Sequence, residues 1–291
     1  LPEGIGEKNS RLRAVRLFVC GVRGSTPAPG PEFVRYGGHT SCIAIAPGAG
    51  PPTLVLDGGT GLQGLTTLLD GRAFNGTILL SHLHWDHTHG LPFFGAGDRQ
   101  EARVTLLMPA QGDPVNVLAR AMSPPHFPIK PTDLRGSWRF LGIQPGPRPV
   151  EGLEILAREI PHKGGLTYGY RVSDGTTSVA YLSDHSPIAF GSGPDGFGAY
   201  HTAALELTRN ADLVIHDAQY TAEEFPKRSA YGHSAVDYAI GLAKAARAKR
   251  VLLFHHDPPR TDDQLDAIVA AHREEPIPVE AAAEGSTIDL G

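Results

Sequence analysis

The sequence predicts a layered α/β sandwich, and three observations predict it. Short apolar or β-branched runs recur along the chain, each bounded by Gly, Pro, Asn or Asp. Their order is strands first and then mixed strands and helices in each half, the pattern of packed layers rather than of a bundle or an all-β barrel. No linker-like break and no repeat of 20 to 50 residues interrupts the 291 residues. The expectation is one domain over residues 15–291, preceded by a disordered or appended leader over residues 1–14.

The elements follow from local chemistry. Val15 to Cys20 and Ser41 to Ala46 are apolar strands, joined by a Gly/Pro-rich loop from Gly21 to Gly38. Thr53 to Leu56 is a third strand, and Asp57-Gly58-Gly59-Thr60-Gly61 turns it into a helix from Leu62. Thr77 to Ser81 and Val104 to Met108 are strands, followed by a short helix over Val115 to Met122. Ser123 to Pro149 has no clear period and reads as a long loop, the kind that serves as a lid. Strands are then expected at Leu153 to Ile160, Leu166 to Val172, Ser178 to Leu182, Leu213 to His216 and Val251 to Phe254. Helices are expected at His201 to Arg209, Ala235 to Ala248 and Thr261 to Arg273.

Composition excludes several classes. With 41% hydrophobic and 20% charged residues the chain is globular rather than disordered. A net charge of −5 argues against a protein that grips nucleic acid by bulk positive charge. Two cysteines, Cys20 and Cys42, sit in apolar surroundings and read as buried free thiols on neighbouring strands, which suits a reducing compartment. No run of about 18 apolar residues is present, and the first residues lack the apolar stretch of a signal peptide, so a cytoplasmic location without membrane contact is expected. Gly (35) and Pro (25) together make about a fifth of the chain, against a usual share of about 12%.

The 14 histidines are unevenly placed, with four between His82 and His89. Ser81-His82-Leu83-His84-Trp85-Asp86-His87 follows an apolar strand directly, so His82 and His84 leave its end on one side while Asp86 and His87 come from the turn beyond. Four nitrogen and oxygen donors this close suit two adjacent ions such as Zn, Mn or Fe(II). His162, Asp184 and His255 each stand just past another apolar strand, which places all four segments on one sheet edge.

These residues resemble the metallo-β-lactamase-fold hydrolases, whose pattern is His-x-His-x-Asp-His followed by separate His, Asp and His ligands. The resemblance runs from Gly21-Val22-Arg23-Gly24-Ser25 to His255-His256-Asp257-Pro258. It implies a four-layer αββα sandwich and a metal-dependent hydrolase with two divalent ions, Zn by default with Mn or Fe open. His82, His84 and His162 would bind the first ion, Asp86, His87 and His255 the second, and Asp184 would bridge them. A metal-bridging hydroxide would be the nucleophile. Asp57 resembles the carboxylate that fixes the tautomer of a ligand histidine. His84 argues against the diiron flavoprotein branch, which has Glu there. Asp184 argues against the true β-lactamases.

His216-Asp217-Ala218 and Gly232-His233-Ser234-Ala235 resemble motifs of the tRNA 3′-endoribonuclease Z and small-molecule phosphodiesterase branch. His233 would act on the scissile phosphate, with Asp217 holding its other nitrogen and Asp86 completing the catalytic set. The family's usual Glu is replaced here by the shorter Asp217. The tRNA-processing members carry a protruding arm, whereas the only spare stretch here is Ser186 to Tyr200, with one acidic and no basic side chain. The resemblance therefore implies a phosphodiesterase for a small diester such as a cyclic nucleotide or cyclic sugar phosphate, with tRNA disfavoured. A hydrolase of carboxylic esters, thioesters or lactones is the alternative on the same ligands, and a homodimer stays open. Arg23, Arg35 and Lys163 are candidates for positive charge near a phosphate. His126 and Phe127 are candidates for a lid that packs a base or other aromatic group. His39 is a candidate site-lining residue. His89 and His185 are expected beside the ligands, and His201 and His272 on the surface.

Overall fold

A computed structural model describes residues 15–291; the expected leader over residues 1–14 lies outside them. Two seven-stranded sheets face each other. The first runs β14 (Thr287–Leu290), β1 (Val15–Gly21), β2 (Cys42–Pro47), β3 (Leu54–Leu56), β4 (Asn75–Leu79), β5 (Arg103–Pro109) and β6 (Ser137–Ile143). The second runs β13 (Val279–Ala281), β12 (Val251–Phe254), β11 (Leu213–Asp217), β10 (Ser178–Leu182), β9 (Tyr168–Ser173), β8 (Leu153–Glu159) and β7 (Gly146–Val150). Consecutive strands β6 and β7 close one side and β13 and β14 the other, so each sheet's outer strand hands the chain to its partner.

Burial explains the layering. Leu17, Ile43 and Leu54 of the first sheet pack against Ile155, Val179 and Ile215 of the second in one dry central core. The opposite face of the first sheet buries Val55, Ile78 and Leu106 under the helix Leu62–Leu68 with Phe74 and Phe94. That of the second buries Ala180, Val214 and Leu253 under the helices Thr202–Thr208 and Val236–Ala245. Strands covered on both faces must be apolar, and β2, β3 and β12 are so throughout, while β10 and β11 depart from it only at Ser178 and at His216 and Asp217. The expected four-layer αββα sandwich is what the chain adopts.

Strand direction places the chemistry. β3 to β6 run parallel to one another, as do β10 to β12. β8 and β10 are each antiparallel to β9 and so share a direction. The C-terminal ends of β4, β8, β10, β11 and β12 therefore lead to His82, His162, Asp184, Asp217 and His255, and ligand sites in α/β sheets lie at such ends.

The expectation of one long loop over Ser123 to Pro149 is corrected. Its second half forms strands β6 and β7, joined through Gln144 and Pro145. β7 carries Pro147 and Pro149 at alternate positions, and it pairs on one side only, with β8. An edge strand tolerates proline because its outward N–H has no partner to lose.

Candidate metal centre

The two predicted ligand sets come together in space. His82, His84, His162 and Asp184 place one donor atom each within 4.8 Å of one another, and so do Asp86, His87, Asp184 and His255. Asp184 belongs to both and divides its oxygens between them. Its Oδ2 lies 3.7 Å from His82 Nε2 and 3.4 Å from His162 Nε2. Its Oδ1 lies 2.9 Å from His87 Nε2 and 3.1 Å from His255 Nε2. Asp86 Oδ2 completes the second set, 3.1 Å from both His87 Nε2 and His255 Nε2.

Hydrogen bonds on the far side of three of the rings set which nitrogen faces inward. His87 Nδ1–H donates to Asp57 Oδ2 at 2.7 Å, leaving its Nε2 lone pair directed inward. His162 Nδ1–H donates to the Gly232 carbonyl at 2.7 Å, with the same result. Ser81 Oγ donates to Asp57 Oδ2 at 2.8 Å, so it accepts from His82 Nδ1–H at 3.0 Å and frees His82 Nε2. Asp57 is the hub: Ser81 N–H on Oδ1 (2.6 Å) and the Tyr181 hydroxyl on Oδ2 (2.7 Å) complete its four bonds. The carboxylate expected behind a ligand histidine is thus on His87, with a further bond chain to His82.

Three inward atoms, His82 Nε2, His87 Nε2 and Asp184 Oδ1, are buried without a hydrogen-bond partner. Leaving such groups unmatched is costly, and a cation at their meeting point would satisfy them together. The field has the same sign. Burial depresses the His87 pKa, yet Asp86, Asp184 and Asp57 outweigh it and hold it well above the usual value, so positive charge is favoured at this spot. His82, with burial dominant and other imidazoles around it, is held well below and stays neutral, as a ligand must be. The donor set therefore fits divalent metal ions.

Local backbone strain clusters here. Ser25, Asp57 and His255 all adopt left-handed conformations, with φ of 61°, 61° and 59°. Such residues persist where surrounding structure holds them, most often at functional sites. Ser25 N–H donates to Asp86 Oδ2 at 2.7 Å, and the loop bearing it docks on the second sheet through Gly24 N–H to the His256 carbonyl at 3.0 Å. A Cβ on Gly24 would stand 2.3 Å from His255 Nδ1, so only glycine allows this approach.

His233 and Asp217 lie beside the second set. His233 Nδ1 is 3.0 Å from Asp217 Oδ2, and its ring stacks on His255 with centroids 4.9 Å apart. Burial lowers the His233 pKa, but Asp217, followed by Asp184 and Asp86, pushes it up to about 9. Asp217 is fixed in turn by backbone N–H groups of His185 and Gln219, each at 3.1 Å. His185 belongs to a chain that the sequence concealed. His216 Nδ1–H donates to the Asp217 carbonyl at 2.7 Å, His185 Nδ1–H to His216 Nε2 at 3.0 Å, and His201 Nε2–H to His185 Nε2 at 2.7 Å. His201, expected on the surface, is instead half-buried as the far end of this chain.

The remaining expectations divide. His255 enters the cluster, while its neighbour His256 is turned away onto the Ala282 carbonyl at 2.9 Å. His39 faces Thr60 Oγ1 at 3.2 Å and joins neither ligand set. The expectation of phosphate-directed charge is overturned for two residues. Arg23 is 0% exposed and spends its guanidinium on the carbonyls of Gly37 (2.7 Å) and Arg260 (2.7 Å). Arg35 pairs with Asp263 and Asp266, both at 2.5 Å. Lys163 is exposed beside His162. Cys20 and Cys42 are buried free thiols on the paired strands β1 and β2, as expected. No helix among the described residues is long and apolar enough to cross a membrane.

Comparison with known proteins agrees with this architecture. A sequence model of the β-lactamase superfamily domain matches residues 64–256. An uncharacterised protein of Mycobacterium leprae is 30% identical over 297 aligned residues, covering 99% of this chain and 92% of that one. Ribonuclease Z of Geobacillus kaustophilus is 26% identical over 217 residues, covering 61% of this chain and 69% of the enzyme. Among solved structures, the metallo-β-lactamase-fold protein YhfI from Bacillus subtilis superposes with a TM-score of 0.69 at 20% identity, covering 96% of this chain and all of that one. With two thirds of its length matching the superfamily and its ligand sets assembled at one sheet edge, this chain belongs to the β-lactamase superfamily, as a metallo-β-lactamase-fold hydrolase.

Proposed function

We propose that the protein is a cytoplasmic phosphodiesterase for small diesters, such as a cyclic nucleotide or cyclic sugar phosphate, and that residues 15–291 work as one catalytic unit. The observation that carries the reading is the His233–Asp217 pair at the edge of two ligand sets that share Asp184. His82, His84 and His162 would hold one divalent ion and Asp86, His87 and His255 the other, with Asp184 between them; Zn is the default and Mn or Fe suit the same donors. Bound there, the ions would supply an acidified water and neutralise charge on the phosphate.

The chain's own residues do the rest. Asp217 Oδ2 accepts a hydrogen bond from His233 Nδ1–H, which leaves Nε2 free to face the substrate. Against the effect of burial, the Asp217 carboxylate on Nδ1 raises the His233 pKa and favours the imidazolium, able to stabilise the phosphate oxygens of the transition state or to protonate the departing alkoxide. His233, Asp86, Asp184, His84 and Trp85 line one cleft, so a diester seated against the ligands meets His233.

Three features favour a small substrate. Ser186 to Tyr200, where a tRNA-gripping arm would stand, holds only a short 3₁₀ turn and bends. The net charge is −5, and Arg23 and Arg35 are engaged internally. A hydrolase of esters, thioesters or lactones shares the ligand sets, and turnover of carboxylic substrates separates it from the phosphodiester reading. Metal-loaded protein should hydrolyse bis-p-nitrophenyl phosphate, and His233→Ala should lower kcat by about 10²- to 10³-fold, the range for loss of one donor to the transition-state oxygens. Absence of turnover, or an unchanged rate in the variant, would overturn the reading.

A further inference from the structure

A second hollow of about 290 Å³ adjoins the catalytic cleft. Leu83, between the two ligand histidines His82 and His84, lines both. A second link is the stack of Trp85 on His89, with centroids 5.6 Å apart and planes within 15°: Trp85 walls the cleft and His89 the hollow. At the rim, Phe93 and Phe127 meet edge to face at 5.8 Å, so Phe127 of the proline-rich segment does pack an aromatic wall, next to His126.

We propose that this hollow is the subsite for the ester group that stays on phosphorus, and that this group is uncharged and aromatic or bulky aliphatic; the inference rests on the phosphodiester reading. The lining is apolar where it is deep, with Leu91, Leu118 and Met122 all buried. Its polar members, Thr60, Gln63, Thr88, His89 and His126, include no Lys, Arg, Asp or Glu, so no fixed charge there answers a second phosphate or an ammonium group. Size sets the class: a cavity of about 150 Å³ holds benzene, and this one has room for one ring with a substituent or for two fused rings. Few precisely placed polar groups around an apolar interior is the usual make-up of a small-molecule pocket.

The test uses p-nitrophenyl phosphodiesters whose second ester is methyl, butyl or 1-naphthyl. The departing p-nitrophenolate is the same throughout, so differences in kcat/KM report the retained group. In the wild type kcat/KM should rise about fourfold per methylene from methyl to butyl and stay high for naphthyl, as burial of apolar surface requires. Ala121, exposed on the hollow's wall, is replaced by the larger side chain in Ala121→Phe, which should bring the naphthyl-to-methyl ratio down towards one. Met122→Ala enlarges the hollow and should shift the preference towards naphthyl. A wild-type ratio near one, or a ratio unmoved by Ala121→Phe, would overturn the inference. If no diester is hydrolysed at all, the phosphodiester reading fails by itself, and binding of 2-naphthol measured by NMR titration decides the hollow. Binding to the wild type that Ala121→Phe abolishes supports an apolar subsite, and equal binding or none refutes it.

Discussion

Replacing Asp57 by Asn should weaken one metal site and spare the other. Asp57 Oδ2 accepts three hydrogen bonds, from Ser81 Oγ, Tyr181 Oη and His87 Nδ1. In the Asp57→Asn variant an NH₂ group stands in place of that oxygen. The Ser81 and Tyr181 hydroxyls can rotate and accept from it, since each is both donor and acceptor. The imidazole cannot adapt that way: His87 must give up its Nδ1 proton and carry it on Nε2, the nitrogen 2.9 Å from Asp184 Oδ1. A protonated Nε2 offers no lone pair to an ion. Loss of such an orienting partner weakens metal binding about 10- to 100-fold, equivalent to about 1.4 to 2.7 kcal/mol. The His82, His84 and His162 set should be little affected, because Ser81 can still hold His82 Nδ1–H and the Gly232 carbonyl still holds His162 Nδ1–H. Competition titrations of Zn against a graded chelator, with metal content counted by mass spectrometry, should show two high-affinity ions in the wild type and one in Asp57→Asn. Two ions bound with wild-type affinities in the variant would refute the tautomer argument.

Other predictions follow the same logic. Gly24→Ala drives a methyl group to within 2.3 Å of His255 Nδ1, so it should lower affinity at the Asp86, His87 and His255 set while leaving the first set intact in the same titration. Arg23→Lys leaves one ammonium where a buried guanidinium reaches two backbone carbonyls at 2.7 Å, and urea unfolding should reveal a loss of about 2 to 4 kcal/mol. His201 has its pKa lowered to about 4, chiefly by burial and then by the positive charge His216 would bring. The unfolded chain binds this proton more readily, so stability is complete above about pH 6.5 and is lost as pH falls towards 4. His201→Gln keeps an N–H for His185 without titrating; discounted for partial exposure, its stability relative to wild type should rise by about 1 kcal/mol between pH 7 and pH 5. An unchanged difference between those pH values would exclude His201 as a titrating member of the chain.

The grouping of the candidate donors was legible in the sequence because each stands at or just past the end of an apolar strand, and His82 to His87 come from one short segment. Asp184 and His255 needed the resemblance as well, since a lone Asp or His past a strand has many ordinary explanations. What remained hidden depended on partners distant in the chain. Arg23 reads as a free cation until its loop is docked on Arg260, 237 residues away. The His201, His185 and His216 chain joins three segments, and nothing local shows that they meet. β7 was read as loop because prolines at 147 and 149 argue against a strand unless it lies at an edge, and β6 because Ser137 to Ile143 shows no clear period. β13 and β14, with three and four residues, are too short to show a period. The hollow beside the cleft is likewise a property of packing, formed where Leu83, Met122 and Phe127 meet.

The central claim is that this site cleaves a phosphorus–oxygen ester bond, with His233 and Asp217 as its signature. The most direct measurement compares kcat/KM of the metal-loaded protein for bis-p-nitrophenyl phosphate with that for p-nitrophenyl butyrate and a γ-lactone. The account predicts turnover of the diester that depends on His233, with the carboxylic substrates turned over slowly and without that dependence. Rapid hydrolysis of the butyrate or lactone beside an inert diester would contradict it.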